Sequence, residues 1–178
     1  MRRIPLACLA ALALPCAALA DYTVQMNAID ERGVAAPAGT VKITQAPGGG
    51  VTLTPKLHGL PAGTHGFHVH EAGNCGAREK DGKMEPGGLA GGHLDSRKTG
   101  KHEGPAGQGH EGDLPPLAVG ADGTATASVT AKRLALGELR GKALMVHEGG
   151  DNFSDQPKPL GGGGKRIACG VIEGASKG

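Results

Sequence analysis

Apolar and polar residues alternate with a period of two through Tyr22 to Asp30, Thr40 to Gln45, Val51 to Leu57 and His65 to Glu71. The pattern returns through Leu117 to Val119, Thr124 to Thr130, Ala143 to Glu148 and Ile167 to Glu173, with Asp122-Gly123 as a turn signal. Successive side chains on a strand point to opposite faces, so each segment reads as a short strand with one face turned to a core. Eight such strands predict an all-β protein, a Greek-key β-barrel or sandwich. Helical periodicity is nearly absent, and 33 glycines and 12 prolines interrupt the chain too often for long helices. With Tyr22, Phe67 and Phe153 as the only aromatic residues, the core must be mostly aliphatic.

Two stretches escape this pattern. Residues 72–116 carry Gly, Pro and charge without sustained alternation, and a structureless loop of that length within a single domain calls for an explanation. It is either disordered or pinned by a metal. The second stretch, Gly149 to Gly164, ends in four consecutive glycines and by composition alone could be a linker.

A chain of 178 residues suits one domain of ordinary size. Met1-Arg2-Arg3, the apolar run Ile4 to Leu14 and the small residues ending at Ala20 follow the order of a secretory signal, which predicts a mature domain over 21–178 and a periplasmic location. No later apolar run reaches the ~20 residues that span a bilayer, so no membrane anchor is expected. Without residues 1–20 the chain carries 17 basic and 17 acidic side chains, which gives nucleic-acid binding no support. The two remaining cysteines, Cys75 and Cys169, favour one disulfide in an oxidising compartment.

The histidines carry the chemistry. His68 and His70 stand at i and i+2, so on a strand both imidazoles face one side while Phe67 and Val69 face the other. Within the long loop lie His93, His102, His110 and Asp113, a donor set suited to a closed tetrahedral zinc site. Metal coordination could offset the ordering entropy of a loop with so little to bury. His147 ends another strand and offers a further nitrogen. His58 and His65 fall outside every cluster and read as ordinary surface or packing residues.

Taken in order, His65-Gly-Phe-His68-Val-His70-Glu71, Gly91-Gly92-His93, Lys101-His102, Gly109-His110-Glu-Gly-Asp113, Met145-Val-His147-Glu-Gly-Gly-Asp151 and Pro159 through Arg166 to Cys169 resemble the copper/zinc superoxide dismutases of the bacterial periplasm. The resemblance spans essentially the whole chain after residue 20. It implies one copper held by His68, His70, His93 and His147, and one zinc held by His93, His102, His110 and Asp113, with His93 bridging them. It further implies that Asp151 links a copper-bound histidine to a zinc-bound one, and that Cys75 and Cys169 tie the loop to the last strand. Arg166 would guide superoxide, and His93 would carry a proton as copper cycles between oxidation states.

The substrate implied is the superoxide anion, and the sequence leaves monomer and homodimer equally open. A competing reading is a non-catalytic periplasmic protein that binds copper or zinc. Arg166 and Asp151 speak against it, because storage alone has little need of either, and so does a copper set made of histidines rather than the soft sulfur ligands that favour copper(I).

Overall fold

The computed structural model describes residues 21–174. Among the described residues eleven strands are present: β1 (Tyr22–Asp30), β2 (Gly33–Gln45), β3 (Val51–Leu57), β4 (Gly63–His65), β5 (Phe67–His70), β6 (Arg78–Lys80), β7 (Lys83–Glu85), β8 (Leu117–Val119), β9 (Val129–Ala131), β10 (Ala143–His147) and β11 (Arg166–Val171). Seven form one antiparallel sheet in the order β5-β10-β11-β1-β2-β3-β9. β4 pairs with β8, and β6 with β7. The sheet curls on itself because β4 runs through Gly66 straight into β5, while the turn after β8 brings Ala125 back to bridge Leu57 at the end of β3. Seven of the eight expected strands are found, with β4 and β5 sharing the fourth, while of the expected strand Thr124 to Thr130 only the end lies in β9 and Ala125 makes an isolated bridge. The predicted signal peptide lies outside the described residues.

Alternation sets the core. Tyr22, Val24 and Met26 of β1 and Val51, Leu53 and Leu57 of β3 turn inward, where they meet Phe67, Val69, Leu144 and Val146. Burying each large side chain contributes about 1.5–3 kcal/mol. β5 and β10 are buried at every position, so both of their faces are covered. The inner face holds the core, and the outer face holds His68, His70 and His147, with Ala143 and Met145 in a second cluster beside Cys75, Ala90 and Cys169. Loops, rather than a second sheet, cover that outer face.

The long loop is ordered, and it contains a hairpin that alternation does not reveal. β6 and β7 are exposed at all but one position, so no apolar period marks them. Near β5 the loop behaves as a strand: Leu94 N–H donates to the Val69 carbonyl (2.8 Å), and Val69 N–H donates to that of Gly112 (2.9 Å). Backbone bridges place His93 opposite His70 and Asp113 opposite His68. The open edge of β5 is thereby covered, and the loop's candidate ligands are brought to the strand's candidate ligands.

Candidate metal centre

Two groups of ligand atoms, each lying within 4.8 Å of one another, meet over the outer face of β5 and β10. One comprises His68, His70, His93 and His147, the other His93, His102, His110 and Asp113, and all of these residues are buried. His93 belongs to both. Its ring presents Nδ1 to Asp113 Oδ1 at 2.9 Å and leaves the buried Nε2 without a hydrogen-bond partner.

Hydrogen bonds to the far side of each ring decide which nitrogen is free. His70 Nδ1–H donates to the Gly91 carbonyl (3.0 Å), and His147 Nδ1–H donates to that of Gly164 (3.3 Å). Their Nε2 atoms then face each other at 3.4 Å with a lone pair on each. Facing lone pairs in a buried site are repulsive unless a cation lies between them. His68 and His102 donate from Nε2 to Asp151 Oδ2 (2.8 Å) and Oδ1 (2.7 Å), which leaves both Nδ1 atoms for another partner. The buried nitrogens with no hydrogen-bond partner are His68 Nδ1, His93 Nε2, His102 Nδ1 and His110 Nδ1, all on residues of the two groups. These orphaned donor atoms fit metal ions. Four nitrogens suit copper, and three nitrogens with one carboxylate suit zinc.

Electrostatics agree with this division. Burial, reinforced by neighbouring rings and Arg166, holds the pKa values of His70 and His147 well below the ordinary imidazole range. Burial and the adjacent His68 lower that of His93 to about 3. All three are therefore neutral at pH 7, as ligation requires. Burial also disfavours a charged His102, but the Asp113 carboxylate 3.0 Å from its Nδ1 and the hydrogen bond from Nε2 to Asp151 outweigh it and raise the pKa to about 9 in the protein without metal. For both aspartates burial acts upward, and their histidine hydrogen bonds overcome it, holding the carboxyls below their usual range.

Asp151 is placed by the glycine-rich connection. Its Oδ1 also accepts the Phe153 N–H (2.8 Å). Gly161, at φ +69°, lies so close that a Cβ there would sit 2.0 Å from Asp151 Oδ1 and 2.7 Å from His102 Nε2. That approach explains glycine at this position. Asp155 adds a second tie across the two loops, accepting the N–H groups of His102 (3.0 Å) and Leu160 (3.1 Å).

Arg166 is half-buried at the start of β11. It donates to the carbonyls of Gly87 (2.6 Å) and Gly91 (2.7 Å), the latter also the partner of His70. Cys75 and Cys169 form a disulfide that closes 94 residues and staples this part of the loop to β11. His58 is exposed, as expected. His65 is buried, and its Nδ1 and Nε2 lie 2.8 Å from the carbonyl oxygens of His147 and Pro61. It is thus a packing residue that steadies the backbone of a ligand. Its place three residues before His68, across Gly66, was the signal available.

A β-barrel carrying two histidine-rich sites joined through one imidazole defines a dinuclear metalloprotein. The family model of copper/zinc superoxide dismutase matches residues 37–172. The chain is 55% identical to the copper-zinc superoxide dismutase 2 of Salmonella typhimurium over 174 residues, which cover 97% of this chain and all of that one. It is similar in structure to the copper/zinc enzyme of Brucella abortus, with a TM-score of 0.84, 50% identity, and 86% and 99% of the two chains covered. The monomeric copper, zinc enzyme of Salmonella enterica matches with a TM-score of 0.78 and 57% identity, over 86% of this chain and all of that one. The chain belongs to the copper/zinc superoxide dismutase family.

Proposed function

We propose that this chain dismutes superoxide to oxygen and hydrogen peroxide, with His68, His70, His93 and His147 as copper ligands and His93, His102, His110 and Asp113 as zinc ligands. The observation that carries this reading is the pair of facing Nε2 lone pairs on His70 and His147, with four further ring nitrogens orphaned around the same centre. When bound, copper supplies one-electron chemistry in both directions, and zinc supplies fixed charge. Family membership favours catalysis over the competing reading of a metal-binding protein without turnover.

The chain's own residues do the rest. Arg166 places a permanent positive charge and spare N–H donors beside the copper set, where they attract and orient a small anion. Its two carbonyl partners fix the guanidinium. His93 Nε2 is the atom positioned to hold and release a proton, because Nδ1 is committed on the zinc side. Asp151 holds the rings of His68 and His102 in one tautomer and orientation.

Each chain contains a full ligand set, so the chemistry needs no partner subunit, whether the protein acts as a monomer or a homodimer. The balanced charge of the chain after residue 20 gives no basis for nucleic-acid binding. No helix among the described residues is long and apolar enough to cross a membrane. The signal-like N-terminus supports export to the periplasm.

The test is superoxide disappearance measured on copper- and zinc-loaded wild type, Arg166→Ala and His147→Ala. Arg166→Ala keeps both metals and slows by roughly tenfold or more, the scale of lost steering. His147→Ala loses copper and activity together. A loaded wild type no faster than free copper overturns the proposal.

A further inference from the structure

The zinc half of the centre stands almost entirely on loop, yet a cation anchored in the barrel reaches into it. Arg133 follows β9, two residues after Ala131 and immediately before Leu134, both buried in the core. Its guanidinium donates from Nη1 to the Gly104 carbonyl (3.3 Å) and from Nη2 to the Gly109 carbonyl. Both acceptors adjoin zinc ligands. Gly109 immediately precedes His110, and Gly104 N–H donates to Asp113 Oδ2 at 3.2 Å.

The segment between them is tightly folded, so displacement at the two carbonyls would be transmitted to the ligands. His110 N–H donates to the carbonyl of Lys101, next to His102 (2.9 Å). A Cβ on Gly109 would meet that carbonyl at 2.1 Å, and one on Gly104, at φ +69°, would meet the Phe153 ring at 2.6 Å. Arg97 also approaches the Gly109 carbonyl, at 3.4 Å, but its closer partners, Glu111 and the Gln108 carbonyl, belong to the same loop and move with it. Arg133 is fixed to the sheet.

We propose that Arg133 is a positioning residue for the zinc site, a two-pronged clamp that holds the Gly104 and Gly109 carbonyls so that His102, His110 and Asp113 are arranged before the ion arrives. The inference rests on the assignment of those residues to zinc. Its sign separates it from simple electrostatics. A guanidinium near a cation site repels the cation, so removing the charge would tighten zinc if charge were its main effect. Removing a clamp loosens zinc, and loss of an outer-shell partner costs roughly 10–100-fold in metal affinity.

The experiment uses copper- and zinc-loaded wild type, Arg133→Met and Arg133→Lys. Zinc affinity and zinc release to a chromogenic chelator are measured beside copper content and the melting temperature of the metal-free chains. Cobalt(II) placed in the zinc site reports its geometry by visible absorption. Arg133→Met weakens zinc roughly 10–100-fold and alters the cobalt spectrum while copper content stays at wild-type level. Arg133→Lys, with the charge and stem but no planar fork, falls between the two. Zinc affinity in Arg133→Met within twofold of wild type, or tighter, overturns the clamp, as does an Arg133→Lys protein indistinguishable from wild type. If Arg133→Met does not fold, the lysine variant decides alone. Zinc content unchanged by His110→Ala would instead overturn the ligand assignment, a separate result.

Discussion

Replacing Asp151 with asparagine tests how far the two metal sites depend on one carboxylate. The side chain is fully buried and accepts Nε2–H bonds from His68 and His102 at 2.8 and 2.7 Å, the second shared with the Phe153 N–H. Hydrogen bonds to a charged partner contribute about 1.5–3 kcal/mol each. Asparagine keeps the shape but offers one carbonyl and an NH2, so one histidine N–H must face a donor. The loss is then one charged bond and the weakening of the other, about 2–3 kcal/mol, or on the order of 30–100-fold in metal affinity. Competition against chelators of known affinity would register that loss for both metals, since one histidine belongs to each site. The acid dependence of folding should change too. Because histidine hydrogen bonds hold the Asp151 carboxyl below the ordinary aspartate range, its stabilisation of the metal-free fold is present above that range and lost as pH falls through the lower folded value. Urea titrations of the metal-free variant, disulfide intact, should lack that component. Wild-type affinity for both metals in Asp151→Asn would refute the reasoning.

Opening the disulfide through Cys75→Ser with Cys169→Ser should cost about 2–5 kcal/mol in chemical denaturation, the upper end being the loop-entropy expectation for a separation of 94 residues, and should slow dismutation by freeing the loop that carries Gly87 and Gly91. Phe67→Ala, at a fully buried core position, should destabilise by about 3–5 kcal/mol on the same measure. Gly161→Ala should lower zinc and copper affinity more than Gly162→Ala, because both glycines have positive φ but the methyl at 161 meets Asp151 and His102 while that at 162 meets the Lys158 stem. In the metal-free protein, His102 has a pKa raised to about 9, so its stabilisation is complete below the ordinary histidine value and is lost as pH rises through 9. Zinc needs its Nδ1 lone pair, so calorimetry in buffers of different ionisation enthalpy should show proton release falling by about 0.8 between pH 8 and pH 10.

Strands were legible wherever one face is apolar, as at Tyr22, Val24 and Met26, because burial itself writes the period of two. The exposed hairpin β6–β7 has no buried face and left no such trace. The first half of β2 was also missed: residues 34–37 are exposed and include two alanines, so the strand is extended by its pairing with β1 rather than by a pattern of its own. The candidate nitrogen–carboxylate set of His93, His102, His110 and Asp113 could be read from residue types in the loop, whereas the grouping of His68, His70 and His147 with His93 came from the family resemblance. What could not be read is whatever acts through backbone: His65 against the His147 carbonyl, Arg133 against two glycine carbonyls, and Gly161 through the side chain it lacks.

Backbone contacts also explain why a loop rather than a second sheet covers the metal face. A strand presents alternate residues at a fixed spacing, so β5 can offer His68 and His70 to one ion but cannot wrap around it. Closing the coordination requires chain that turns sharply and approaches from other directions, which Gly91, Gly104 and Gly161 permit at positive φ. Such chain has little apolar surface to hold it in place. Its order comes from the edge of β5, the Cys75–Cys169 staple, Asp151 and Asp155 across the two loops, and Arg133 from the barrel. Apart from the disulfide, each of these ties reaches a candidate ligand directly or through one neighbouring residue, so an ion that binds those residues also stabilises the loop. Metal affinity and loop order are therefore two measures of one free energy, and a variant that loosens any tie should show its effect more strongly in metal release than in the melting of the barrel.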